Sequence, residues 1–261
     1  MRRPTRRVRS NPFFRTVARL CRQYLKWYGN ASYKLEKNGE RRLLGTLRGE
    51  RFATILDVGA NVGKWASLAT AAFPAATVYA LEIVPATFER LCAATASLPR
   101  VRPINLGFAD HTGRLRIRYE PSASAHATFT EYPHGWVGER IECDVTTGDA
   151  FLETQALSTV DFLKVDVEGA EHLVFQGFAR ALADRRVRFV QFEYGLVNIL
   201  TGFLLKHFYD LFGRYGYVVG KIYPDYVDIR DYTLADEDFL GPNYLACRHD
   251  EPLLSLLRGG S

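Results

Sequence analysis

The sequence predicts an α/β domain whose mostly parallel sheet carries helices on both faces and ends in an antiparallel edge pair. Three observations point there. An apolar run at 54–58, broken only by Asp57, leads through Gly59-Ala60-Asn61-Val62-Gly63 into a helical pattern, and a second strand then ends on Glu82. Farther along, apolar strands alternate with helical patterns at the spacing that parallel strands and their crossovers need. Finally, 217–223 and 243–248 read as strands with no helix between them, the mark of antiparallel neighbours.

The chain opens on a basic arm. Residues 1–30 hold Arg2, Arg3, Arg6, Arg7, Arg9, Arg15, Arg19, Arg22 and Lys26, and no acid. Without those nine, the 34 basic residues become 25 against 29 acidic ones, so the net charge of +5 belongs to the arm. A surface basic throughout, as nucleic-acid binding favours, is not expected. Residues 1–11 read as an unstructured, Arg-rich lead. From Pro12 on, Phe13, Val17, Leu20, Tyr24 and Trp27 recur at helical spacing, with Arg15, Arg19, Arg22 and Lys26 opposite. Such a helix either caps the domain or lies on anionic lipid, and the cap is the more ordinary arrangement. No continuous apolar stretch follows the charges, so the arm does not read as a secretory signal. No run approaches the roughly 20 apolar residues of a membrane span.

The remaining elements follow in order. Asn38 is the expected N-cap of a short helix over 41–47. Strand 54–58 leads to helix 62–73, stopped by Pro74; strand 77–82 leads to helix 85–97, with Pro85 in its first turn. A third strand spans 101–106. Over 113–120, Leu115, Ile117 and Tyr119 alternate with Arg114, Arg116 and Arg118, as in an exposed antiparallel strand. Residues 121–136, rich in small residues, read as a loop over the site, with a returning strand at 140–145. The core resumes with strand 161–167, helix 170–183, strand 187–194, helix 201–212 and the two late strands.

Without a repeat or a linker, this gives an arm (1–37), one domain (38–250) and a tail (251–261). Hydrophobic residues make up 47% of the chain, including 17 Phe and 14 Tyr, enough for a sizeable core. Cys21, Cys92, Cys143 and Cys247 are scattered without metal-ligand spacing, which suits reduced thiols in the cytoplasm. The expected localisation is therefore cytoplasmic, with peripheral contact at the membrane face as the arm's alternative role.

In an open α/β sheet, ligands bind at the carboxyl ends of the strands. Asp57, Gly59, Glu82, residues 107–110, Asp166, Glu168 and Glu193 end those strands. A dinucleotide site needs Gly-x-Gly-x-x-Gly, whereas Gly59 and Gly63 are spaced Gly-x-x-x-Gly, and Asp57 would repel a pyrophosphate. A ribose-bearing ligand with a cationic amino group fits better, S-adenosylmethionine for example, with Glu82 on the ribose diol. In Lys164-Val165-Asp166-Val167-Glu168-Gly169-Ala170-Glu171, strand alternation puts Lys164 and Asp166 on one face with Asp166 at the mouth, and Gly169 permits a tight turn. Glu171 reads as a solvated or N-terminal helix position.

Asp57-Val58-Gly59-Ala60-Asn61-Val62-Gly63, Glu82, the Lys164–Glu171 segment and Gln191-Phe192-Glu193-Tyr194 together resemble the FkbM family of class I S-adenosylmethionine-dependent methyltransferases, over roughly 38–248. The resemblance implies a Rossmann-like class I methyltransferase fold. It also implies S-adenosylmethionine as cofactor and O-methylation of a sugar, glycan, glycolipid or polyketide-type hydroxyl. By the same likeness, Asp57, Gly59, Asn61 and Gly63 would cradle the methionine end, Glu82 would hold the ribose, and Ala109 and Asp110 would lie near the adenine.

An alcohol needs a base, and Asp166 is the first candidate and Glu193 the second. Lys164 would orient Asp166 or form a buried salt bridge, and His126 and His134 in the 121–136 loop are further candidates. Asp166, Glu168 and Glu193 would suit Mg²⁺, but the reaction does not require a metal. The alternatives are a nucleic-acid methyltransferase guided by the arm, and a non-catalytic membrane-surface protein retaining the fold.

Overall fold

The computed structural model describes residues 6–119 and 139–260. Helices α1 (Arg6–Ser10) and α2 (Pro12–Tyr28) form the arm. Asn11 caps α2 by accepting from the Phe13 amide, and Pro12 sits in the first turn, where its missing N–H costs nothing. No residue of either helix is buried. The expected cap is therefore corrected: among the described residues, the apolar face of α2 stays open to solvent. At Asn30 the chain enters the body, and the Asn30 side chain donates to the Asn38 and Ile222 carbonyls, both at 2.8 Å.

Gly39 holds the cap position of helix α3 (Glu40–Thr46), and the expected capping residue, Asn38, one place earlier, accepts from the Glu40 amide at 3.1 Å. Gly39 has φ 100°, and a Cβ there would lie 2.2 Å from the Tyr223 carbonyl oxygen, so only glycine fits. Next come β1 (Thr54–Val58), α4 (Lys64–Ala72), β2 (Thr77–Leu81), α5 (Pro85–Thr95) and β3 (Val101–Ile104). The expected third strand ends early because Asn105 turns back, donating to the Glu82 and Ile83 carbonyls at 2.8 and 3.1 Å. Strands β4 (Gly107–Phe108), β5 (Gly113–Tyr119) and β6 (Glu139–Thr146) build a small separate sheet in the order β4-β6-β5. The expected loop over the site, with His126 and His134, lies outside the described residues.

Helix α6 (Gly148–Thr154) precedes β7 (Val160–Val165). The helix expected over 170–183 is split into α7 (Glu171–Gly177) and α8 (Ala179–Ala183), joined at Phe178. Strand β8 (Val187–Glu193), α9 (Asn198–Thr201), α10 (Leu205–Arg214), β9 (Tyr217–Ile222), β10 (Val227–Ile229), β11 (Asn243–Arg248) and α11 (Leu254–Leu257) complete the chain. The tail is part of the body: Leu257 is fully buried, and Glu251 pairs with Arg188 at 2.7 Å.

The main sheet runs β3-β2-β1-β7-β8-β11-β9-β10. Strands β3, β2, β1, β7 and β8 are parallel, which is the expected Rossmann-like arrangement. The late strands β9 and β11 pair antiparallel as expected. However, β11 inserts between β8 and β9, and the edge belongs to the short β10. With neighbours on both sides, β11 is buried from Asn243 to Cys247.

Alternate side chains of β7 and β8 supply two cores. Leu163, Val190 and Phe192 join Phe175, Phe208 and Phe212 on one face. Phe162 and Phe189 join Trp65, Phe52 and Phe73 on the other. Each such aromatic, fully buried, stabilises the fold by roughly 1.5–3 kcal/mol. The chain winds outward from β1 to β3 in one direction and through β7 to β8 in the other. The carboxyl ends of β1 and β7 therefore flank the switch point, where a crevice forms.

Candidate active site

A cavity of about 530 Å³ opens at that switch point. On one side it is bounded by Val58 at the end of β1, Gly59 and Asn61 after it, Glu82 and Ile83 after β2, and Gly107 and Phe108 of β4. On the other lie Asp166, Glu168 and Glu193, with Leu196, Val197 and Tyr33, and β5 adds apolar Leu115 and Ile117.

The first side is preorganised by backbone. Gly59 has φ 79°, and a Cβ would stand 1.9 Å from the Asp166 carbonyl oxygen, so the β1 turn presses against the end of β7. Gly59→Ala is expected to cost on the order of 1–3 kcal/mol in strain, read as a lowered urea midpoint. Asn61 takes the left-handed conformation at φ 48°, which asparagine tolerates. Its amide donates to Glu82 Oε2 at 2.9 Å, and the Val84 amide donates to Oε1 at 2.9 Å. One amide on each oxygen fixes the carboxylate and leaves lone pairs for a ligand. Burial raises the affinity of Glu82 for its proton, opposed by those two amides.

Several residues expected in the cofactor site are not part of this lining. Asp57 is fully buried and pairs with Lys164 Nζ at 3.4 Å. Gly63 caps α4 at φ 77°, and a Cβ there would meet Leu91 and Thr95 at 2.8 Å, so its role is to let α4 pack on α5. Ala109 is 1% exposed, and its amide donates to the Thr146 carbonyl, continuing the pairing of β4 with β6. Asp110 is exposed and pairs with His111 at 2.7 Å. The small sheet thus offers Gly107 and Phe108 to the cavity in place of Ala109 and Asp110.

On the second side, the register of β7 on β8 sets Lys164 beside Gln191 and brings Asp166 next to Glu193. Lys164 Nζ lies 3.1 Å from Asp166 Oδ2 and 5.9 Å from the Trp65 ring centre, and the residue is only 4% exposed. Burial would discharge Lys164, but Asp166, Asp57 and Glu40 outweigh it and keep the ammonium protonated. Burial would likewise raise Asp166, yet Lys164 and a hydrogen bond from Glu193 hold it below the usual carboxylate range. Glu193 is pushed well above that range by burial and by the Asp166 charge. The two shifts run in opposite directions, which makes Glu193 the better proton holder of the pair and Asp166 the better acceptor. Glu168, in the left-handed region at φ 53°, is pushed up to about 8 by burial and then by Asp166 and Glu171. Glu171 begins α7 as expected but is buried, accepting from the Val167 and Gly169 amides at 3.0 and 3.3 Å.

A polar array missed at the sequence level lies beside these groups. Gln191 Nε2 donates to Glu40 Oε1 at 2.5 Å and to Asn243 Oδ1 at 3.3 Å, and Asn38 donates to the other Glu40 oxygen. Glu40 is buried, and its charge acts on Lys164. The available signal was Gln191, a polar residue inside a buried strand that must find polar partners.

The sequence model of one family, described as the methyltransferase FkbM domain, matches residues 57–219. Hexuronic acid methyltransferase AglP of Haloferax volcanii is 32% identical over 139 residues, covering 52% of this chain and 54% of that protein. Methyltransferase sdnD of Sordaria araneosa is 27% identical over 153 residues, covering 47% of this chain and 59% of that protein. The chain thus spans little more than half the length of these curated relatives. Among solved structures, the O-methyltransferase TomG from Streptomyces achromogenes, in complex with SAM, is 13% identical with a TM-score of 0.45, covering 80% of this chain and 78% of that one.

Proposed function

The chain belongs to the methyltransferase FkbM domain family, and we propose that it uses S-adenosylmethionine to methylate a hydroxyl of a sugar, glycan, glycolipid or polyketide-type product. One observation carries this. The Asp166–Glu193 pair, charged through Lys164, opens onto the same cavity as the amide-held Glu82. The first side of the cavity fits S-adenosylmethionine. Glu82 would take the ribose hydroxyls, Gly59 and Asn61 the methionine end, and Ile83, Gly107 and Phe108 the adenine. When bound, that group supplies an electrophilic methyl on a sulfonium centre.

The protein's own residues do the rest. Asp166, kept ionised, accepts the proton that the acceptor hydroxyl must lose. Lys164 and Glu193, the proton holder of the pair, keep Asp166 charged and aimed, while Leu115, Ile117 and Val197 limit water at the reacting oxygen. The printed name of AglP supports a sugar acceptor. An ionised Asp166 at the reacting position favours a neutral hydroxyl there over a sugar carboxylate, which like charge would repel.

The test is calorimetry with S-adenosylmethionine, followed by transfer of labelled methyl to uronic-acid glycans and glycolipid extracts. An alkali-stable methyl ether is the expected product. No cofactor binding, or an alkali-labile ester alone, would overturn the assignment. Glu82→Ala should weaken S-adenosylmethionine binding roughly 10- to 100-fold, the loss of about one hydrogen bond to a charged group. Unchanged affinity in the same calorimetry would remove Glu82 from the site.

A further inference from the structure

We propose that α2 is an interfacial helix that docks the protein on a membrane surface rich in anionic lipid. At about 100° of rotation per residue, Phe13, Val17, Leu20, Tyr24, Trp27 and Tyr28 share one half of its circumference, and Arg15, Arg19, Arg22 and Lys26 share the other. The apolar half is unused by the fold: Phe13 is 68%, Leu20 64% and Trp27 74% exposed. A soluble domain gains nothing by holding such a face in water, whereas a bilayer boundary accepts it. Trp27, Tyr24 and Tyr28 have the apolar body and polar tip that suit the headgroup level.

Charge selects the lipid. The first 30 residues hold nine bases and no acid, while the rest of the chain carries 25 bases against 29 acids. An anionic surface therefore attracts the arm and mildly repels the body, so contact is confined to α1 and α2. No helix among the described residues is long and apolar enough to cross a membrane, so the contact proposed is peripheral. RNA would engage the bases and leave the apolar half wet. A second copy would cover the apolar half and crowd two basic arms together. Anionic lipid satisfies both halves at once. The arm also leads directly to the cavity, since Tyr33, shortly after the Asn30 turn, lines it and is 64% exposed. Docking stands independently of the methyl-transfer assignment.

The full chain should co-sediment with vesicles of phosphatidylcholine mixed with phosphatidylglycerol, and only weakly with phosphatidylcholine alone. Added salt should weaken the binding. Combining Arg15→Gln, Arg19→Gln and Arg22→Gln should lower partitioning on the order of 100-fold, at about fivefold per base near an anionic surface. Leu20→Glu with Trp27→Glu should abolish it, and both variants should keep the melting transition of the body, because none of these residues is buried. Three results would overturn the proposal. They are equal binding to both vesicle types, binding unaffected by Leu20→Glu with Trp27→Glu, and no vesicle binding, whether or not a light-scattering dimer dissolved by that double variant or RNA binding through the arm is found in its place.

Discussion

Asp166→Asn is expected to leave S-adenosylmethionine affinity essentially unchanged and to lower kcat by roughly 10²–10⁴-fold, the usual effect of losing a general base. Asparagine keeps the shape of the side chain and can still hydrogen-bond Glu193, but it cannot take a proton. Lys164 at 3.1 Å holds wild-type Asp166 below the ordinary carboxylate range, against the burial that opposes it. Wild-type kcat should therefore show an acid limb at pH values below that range, as Asp166 takes up a proton. The variant should lack this acid limb. Single-turnover rates across pH would show both features. Full activity in Asp166→Asn would move the base to Glu193 or Glu168.

Lys164→Met should destabilise the fold by about 3–5 kcal/mol, because breaking a buried ion pair strands the charges left behind. Asp57 is fully buried with Lys164 3.4 Å away, and Asp166 and Glu40 act on the same ammonium. The sign of the pH dependence follows from the directions of the shifts. Asp166, depressed in the fold, contributes stability above its unfolded value and loses it as pH falls through the folded one. Lys164, raised in the fold, contributes stability below its unfolded value and loses it as pH rises through the folded one. Asp57 and Glu40 are raised by burial despite Lys164, and without it they should rise further. Such carboxyls destabilise the fold above their unfolded values and cease to do so below them. The deficit of Lys164→Met should therefore be largest near neutral pH and shrink toward acid. The acid limb of kcat should also shift upward as Asp166 loses its cation. Urea unfolding at several pH values tests this, and a deficit independent of pH would show that the lost contribution was packing.

Much of the candidate site was legible along the chain. Glu82 closes an apolar strand after a glycine turn, and Asp166 and Glu193 end adjacent strands, so strand alternation alone placed all three at the ligand edge. Other members of the same motifs lie outside the cavity lining, because a motif does not distinguish lining from support. Asp57 and Gly63 bracket the turn that forms the site, yet one is buried against Lys164 and the other lets two helices touch. Ala109 and Asp110 follow Phe108, but Ala109 is buried against β6 and Asp110 is exposed beside His111. Glu40 sits 151 residues before its partner Gln191, a separation that no local pattern bridges.

What the sequence determined by itself was therefore periodic or punctuated: the order of strands and helices, the glycine turn, the carboxylates at strand ends and the amphipathic arm. These are set by local sterics and by which faces must leave water, and both are written in neighbouring residues. Only the tertiary structure decided the insertion of β11, the state of the Asp166–Glu193 pair, and the exposure of α2. Strand order depends on pairing between distant segments. A carboxyl's charge depends on burial and on the group that an adjacent strand brings to it, as Glu193 is brought to Asp166. Whether an apolar face is covered depends on what the rest of the chain brings to it, and here, among the described residues, it is left open.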